Sequence, residues 1–120
     1  ATGNELIDLL RSRLHEKAYS TAMLYFNMES YLSAYTSFKN AIIDFPDIPE
    51  KDKVDFYIVR SAFLYAKQSV KTEQSSRYET ALEEAEEFLT NYTNNKYVKD
   101  VKQMKADSAE LIALLKTASK

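Results

Sequence analysis

Apolar side chains recur along this chain in steps of three and four almost from end to end. That is the spacing of one face of an α-helix, not the alternation of a half-buried strand. The pattern predicts five helices. The first runs from Glu5 to Met28, with Leu6, Leu9, Leu10, Leu14, Ala18, Ala22 and Tyr25 on one broad face and Asn4 placed to cap its start. Asn27-Met28-Glu29-Ser30 is a short polar break. The second covers Tyr31 to Phe45, because the residue ahead of Pro46 is pushed out of the helical region. A third starts at Pro49 or Glu50 and runs to Val70; Pro49, with no N–H to satisfy, suits a first helical position. Lys71 to Ser76 is polar and reads as a loop. A fourth helix follows from Ser76 to Tyr92, then the break Thr93-Asn94-Asn95. The fifth runs from Lys96 to Thr117 with the stripe Tyr97, Val101, Met104, Ser108, Leu111 and Leu115. Short connections make neighbouring helices antiparallel, and no domain boundary interrupts residues 1–120.

A repeat lies inside this pattern. Measured from Ala22, the residues Tyr25, Tyr31, Ala34, Phe38, Ala41 and Pro46 follow at offsets 3, 9, 12, 16, 19 and 24. This is the spacing of a tetratricopeptide hairpin. Small residues at Ala22 and Ala34 let two helices approach, while Tyr25, Tyr31 and Phe38 fill the gaps around them. One such hairpin cannot bury its apolar face alone, so hairpins stack. Residues 15–48 form the first copy. Ala62, Tyr65, Tyr78, Ala81, Ala85, Phe88 and Thr93 take the same roles in a second copy over residues 50–93. There, about seven residues are inserted between the helices and Thr93 replaces the proline. The segment 96–117 is a capping helix or opens a third hairpin. The expected fold class is all-α: tetratricopeptide-like stacked antiparallel hairpins of about five helices.

Composition supports this reading and narrows the function. Gly3 is the only glycine and Pro46 and Pro49 are the only prolines, too few turn residues for an all-β fold. Sixteen basic and 18 acidic side chains give a net charge of −2, without the basic excess of a nucleic-acid binder. No apolar run approaches the roughly 18 residues of a membrane span, and no basic-then-apolar signal segment opens the chain. Ala1-Thr2-Gly3 reads as a cloning remnant or as the edge of a segment cut from a longer protein. With no cysteine there is no disulfide, thiolate metal site or thiol nucleophile.

The candidate chemistry is that of binding. In a stack of this kind the first helix of each hairpin lines the concave face. The register points Tyr19, Met23, Phe26 and Asn27 there from the first copy, and Phe56, Val59, Phe63 and Lys67 from the second. Aromatic-rich positions suit a partner helix or extended peptide, since aromatics bury large area at low entropic cost; packing against a neighbouring helix is the structural alternative. Tyr19, Met23, Val59 and Phe63 offer no charge to a carboxylate, which argues against the repeats that clamp a partner's C-terminus. Arg77 and Tyr78, beside the loop 71–76, form a second candidate contact. Glu83, Glu84, Glu86 and Glu87 read as a solvated face, leaving Ala81, Ala85 and Phe88 inward. His15 is the only histidine, and a general base or a metal site needs convergent partners. Asn91-Tyr92-Thr93 fits the glycosylation triplet. No phosphate loop, zinc signature or calcium loop is present, so no cofactor, no metal and no catalytic residue is expected.

Three stretches carry a further resemblance. They are Leu10-Arg11-Ser12-Arg13-Leu14-His15-Glu16-Lys17-Ala18-Tyr19 leading into Ala22-Met23-Leu24-Tyr25-Phe26; Tyr31-Leu32-Ser33-Ala34; and Asp44-Phe45-Pro46-Asp47. The succession resembles the later repeats of the BamD-type lipoproteins of the outer-membrane β-barrel assembly machinery. Ser61-Ala62-Phe63-Leu64-Tyr65-Ala66-Lys67-Gln68-Ser69 with Arg77-Tyr78, and Phe88-Leu89-Thr90-Asn91-Tyr92 through Tyr97, resemble its Bacteroidota-type versions. Thr93 and Asn95 depart from the family's Tyr/Phe-Pro-x-Ser-x-Tyr. The resemblance spans roughly residues 6 to 105. It implies a non-catalytic scaffold at the periplasmic face of the outer membrane, with a lipid anchor and earlier repeats upstream. Its implied partners are the barrel-inserting subunit and other assembly lipoproteins. Another periplasmic or cytosolic tetratricopeptide adaptor, and a small helical ligand carrier, are the other classes the residues allow.

Overall fold

The computed structural model describes residues 3–118. Ala1 and Thr2, part of the expected terminal remnant, lie outside the described residues. Among those residues the chain forms five helices and no strand: α1 (Gly3–Asn27), α2 (Tyr31–Asp44), α3 (Lys51–Gln68), α4 (Lys71–Asn91) and α5 (Val98–Ala118). Each helix packs on the next, and α3 also touches α5. Short connections and sequential packing make this an all-α helical-hairpin fold.

The helix ends follow from local chemistry. α1 closes with Glu29 in the left-handed region, at φ 62°. The Ser30 N–H donates to the Tyr25 carbonyl at 2.9 Å and the Glu29 N–H to that of Phe26 at 3.0 Å, the paired bonds of a Schellman cap. A glycine would suit that position, but the chain spends a glutamate there. α2 stops at Asp44, with Phe45 non-helical ahead of Pro46 as expected. Pro49 is not a first helical position. It sits in the turn before Glu50, which is left-handed at φ 53° and whose carbonyl accepts from the Lys53 and Val54 amides. Asn4 lies inside α1 and is not its cap. Asn95 Oδ1 accepts from the Tyr97 N–H at 2.9 Å, an Asx turn that sets up α5.

Lys71 to Ser76 is not a loop: α4 begins at Lys71, after a connection of only Ser69 and Val70. Polar composition misled here. Lys, Glu and Gln form helix well, Glu73 favours a first turn, and these turns are polar because they are largely solvated. The seven-residue insertion is thus about two extra helical turns on α4. Two turns return a side chain to nearly the same face, so the repeat register survives.

The alanines of the repeat sit where the helices meet. Ala22, Ala34, Phe38 and Ala41 are buried with Ile48, Val54 and Ile58 in one cluster. Val59, Ala62, Phe63, Ala66, Tyr78, Ala81, Ala85, Phe88, Val101, Met104 and Ile112 form a second. α3 feeds both, one from each side. Leu6, Leu9, Leu10 and Leu14, expected on the inward face, are at least half exposed, and Tyr25 is 37% exposed. Length explains the exposed leucines: α1 has 25 residues and α2 only 14, so the start of α1 overhangs its partner by roughly 16 Å at 1.5 Å per residue. The overhang contributes to an elongated molecule, 66 × 30 × 19 Å. Arg11, bonded to Asp47 at 2.6 Å, and His15, edge-on to Phe45 at 5.2 Å, mark where α1 meets the α2–α3 connection.

Candidate functional site

Phe56, Arg60, Phe63 and Lys67 lie at steps of four, three and four, so α3 presents them on a single stripe. α5 faces this stripe with Asp100, Gln103, Met104, Asp107, Glu110, Leu111 and Leu114. Two adjoining hollows of about 390 and 360 Å³ run between the helices and share Phe63 and Asp107. Phe56, Phe63, Met104 and Leu111 form an apolar floor. Arg60 and Lys67 stand along one wall, with Asp100, Asp107 and Glu110 along the other. Phe56 is held by stacking on Tyr97 at 4.5 Å, and Phe63 by the edge of Tyr78 at 5.7 Å.

Away from this stripe, polar contacts join the helices. Tyr35 Oη donates to Glu84 Oε2 at 2.6 Å, and Lys39 Nζ donates to the same oxygen at 2.9 Å, joining α2 to α4. Burial, and then this bond, push the Tyr35 phenol up to about 12, and the Glu84 bond raises Lys39. Tyr92 Oη donates to Asp55 Oδ2 at 2.7 Å. Burial raises both groups, and for Asp55 the Tyr92 bond pulls the other way. Glu84 therefore corrects the expectation of a fully solvated acidic face. It lies three residues after Ala81 and four before Phe88, on the inward stripe, while Glu83, Glu86 and Glu87 are exposed.

Of the residues singled out by the register, Phe56, Phe63 and Lys67 line the α3–α5 groove. Val59 does not: it is buried at 1% exposure beneath it. Tyr19, Met23 and Phe26 are half-buried against the first cluster, with Phe26 edge-on to Tyr57 at 5.0 Å and Tyr19 tilted toward Phe38 at 6.2 Å. They act there as packing, and only Asn27 beside them is exposed. Arg77 and Tyr78 are helical, not loop residues. The Arg77 guanidinium lies 4.5 Å over the Tyr65 ring and donates to Ser69 Oγ at 2.8 Å, while Tyr78, buried at 3% exposure, lines the inner end of the groove beside Phe63 and Lys67. Arg60, Asp100, Asp107 and Glu110 were missed. Their signal was the seven-residue spacing of Arg60 and Lys67, and of Asp100 and Asp107, at the margins of apolar stripes.

The arrangement is one that can bind. Among the described residues, no group of three or more His, Cys, Asp or Glu side chains is gathered to hold a metal ion, and no helix is long and apolar enough to cross a membrane. No family model matches the chain, and no curated protein matches it significantly in sequence.

Proposed function

We propose that this chain is a protein-interaction scaffold of the tetratricopeptide type, not an enzyme, and that the α3–α5 groove is its docking surface. One observation carries the reading: an apolar floor, half-buried at Phe56 and Leu111 and closed beneath by Phe63 and Met104, lies between two walls of charged side chains. Such a groove accepts an apolar anchor while its rim selects by charge. The floor residues come from the inner faces of α3 and α5, the faces a hairpin stack turns toward a ligand. The specific setting we propose is the outer-membrane β-barrel assembly machinery, at its periplasmic face. The BamD-like segments around Leu10–Phe26, Tyr31–Ala34 and Asp44–Asp47 support it.

Affinity capture from detergent-solubilised bacterial envelope tests both levels. Leu114, 56% exposed at the groove's edge, is changed to Glu, a surface substitution that spares the core. The wild-type chain is expected to recover the barrel-inserting subunit and Leu114→Glu to lose most of it. Equal recovery by both would move the docking surface away from the groove. Recovery of cytosolic proteins alone would sink the outer-membrane setting.

A further inference from the structure

The groove's charges do not satisfy one another. The ion pairs of the described residues include Arg11–Asp47 and Lys39–Glu84, both remote from it. Within the groove, Arg60 Nη1 reaches only the Met104 sulfur, at 4.0 Å, and Gln103 donates to Asp107 at 2.9 Å. No carboxylate of the α5 wall stands at salt-bridge distance from Arg60 or Lys67. The walls are nevertheless in register. α3 and α5 both run antiparallel to α4 and therefore parallel to each other. Arg60 shares its hollow with Asp100 and Asp107, and Lys67 shares the next with Asp107 and Glu110. Arg60 and Lys67 are seven residues apart, as are Asp100 and Asp107. Seven residues rise about 10.5 Å, the two-turn repeat at which a third helix laid alongside presents equivalent side chains.

Resting on the docking reading above, we propose that the occupant is an amphipathic helix of a protein partner with a bipolar rim. Its apolar stripe lies on Phe56, Phe63, Met104 and Leu111. Acidic side chains run along the flank facing Arg60 and Lys67, and basic ones along the flank facing Asp100, Asp107 and Glu110. A partner of one sign, an extended polyanion included, would pair with one wall and be repelled by the other. A neutral partner would leave both walls unpaired while displacing the water around them. A helix with opposite signs on its two flanks pairs both, and the complementary potentials also fix its direction.

The probes are three synthetic helical peptides of about 21 residues, three heptads, with the same leucine stripe. One carries Glu on one flank and Lys on the other, one Glu on both, and one Lys on both. Binding to the whole chain is followed by fluorescence anisotropy at low and high salt. The bipolar peptide is expected to bind about tenfold tighter than either single-sign peptide at low salt, with the margin shrinking as salt screens the rim. Arg60→Glu with Lys67→Glu makes both walls acidic and should transfer the preference to the all-Lys peptide. Lys67→Glu alone, at an exposed position, should narrow the bipolar margin without disturbing the helical spectrum. If all three peptides bind equally, but more weakly to Leu114→Glu, the groove is a docking surface and the bipolar partner is wrong. If none binds, the docking reading falls with it.

Discussion

Replacing Glu84 with Ala removes the one carboxylate that joins α2 to α4. Its Oε2 accepts from Tyr35 Oη at 2.6 Å and from Lys39 Nζ at 2.9 Å. The Glu84 side chain is 10% exposed and that of Lys39 is 43% exposed. The two bonds are therefore unequal in worth. A hydrogen bond to a charged, buried acceptor contributes about 1.5–3 kcal/mol. An ion pair whose cation can turn into water contributes at most about 1 kcal/mol. Relief of the Glu84 desolvation works in the opposite direction. The net expected loss is about 1.5–3 kcal/mol, or roughly 5–12 °C in Tm for a domain of this size. Thermal and urea unfolding followed by circular dichroism at neutral pH measures it. Glu84→Gln keeps an acceptor for Tyr35 and should lose about half as much. A double-mutant cycle with Tyr35→Phe should give a coupling of about 1–2 kcal/mol. A Glu84→Ala loss below about 0.5 kcal/mol, with no coupling to Tyr35, would refute the claim that this contact fastens α2 to α4.

Ala34→Leu places three extra carbons at a site with no exposure, on the helix that faces α1. It should cost about 1–3 kcal/mol by overpacking, read as a lower Tm; an unchanged midpoint would show that Ala34 is not at a tight crossing. Asp55→Asn keeps an oxygen to accept from Tyr92 but removes a half-buried charge. Burial raises the Asp55 carboxyl above its ordinary 3.8, so the folded state holds that proton more tightly than the unfolded one. Its contribution is present below 3.8 and is lost as pH rises through the folded value. The variant should therefore melt higher than wild type at neutral pH, with the advantage fading as the pH falls through the folded value and gone below 3.8. An advantage that persists in acid would point to some cause other than the carboxylate charge.

Much of the fold could be read from residue spacing because helix packing is periodic and the core is dense in alanine. Ala22, Ala34, Ala41, Ala62, Ala81 and Ala85 were placed by their intervals alone, and all are buried. What failed was polarity used as a proxy for loop. Lys71-Thr72-Glu73 is helical because its outer turns need no apolar stripe when no neighbour covers them. The α1 leucines failed for the reverse reason: a stripe shows that a face is apolar, not that anything is long enough to cover it. The groove was half legible. Phe56, Phe63 and Lys67 follow from the hairpin register, whereas their opposite wall depends on how α5 leans against α3, which no local pattern encodes. Val59 shows the limit of a one-turn register: a step of one residue turns a helical side chain by about 100°, enough to move it from rim to core.

The small residues that made the repeat visible also set the groove's width. α3 and α5 touch each other sparingly, and each packs along α4. α4 meets them through Ala81 and Ala85, neither more than 1% exposed, against Ala62, Ala66 and Val101, also buried. Alanine contacts leave no slack, since a dense interior transmits a displaced methyl group directly to its neighbours. The separation between the Arg60–Lys67 wall and the Asp100–Asp107 wall is thus fixed from below by side chains that never touch a ligand. Away from the groove, Glu84 and Asp55 spend their charges on Tyr35, Lys39 and Tyr92 inside the structure. Facing the groove, Arg60, Lys67, Asp100 and Glu110 have no ion-pair partner among the described residues, on helices packed through buried alanines. A surface preorganised in this way loses little freedom on binding, so its charge pattern can act as selectivity.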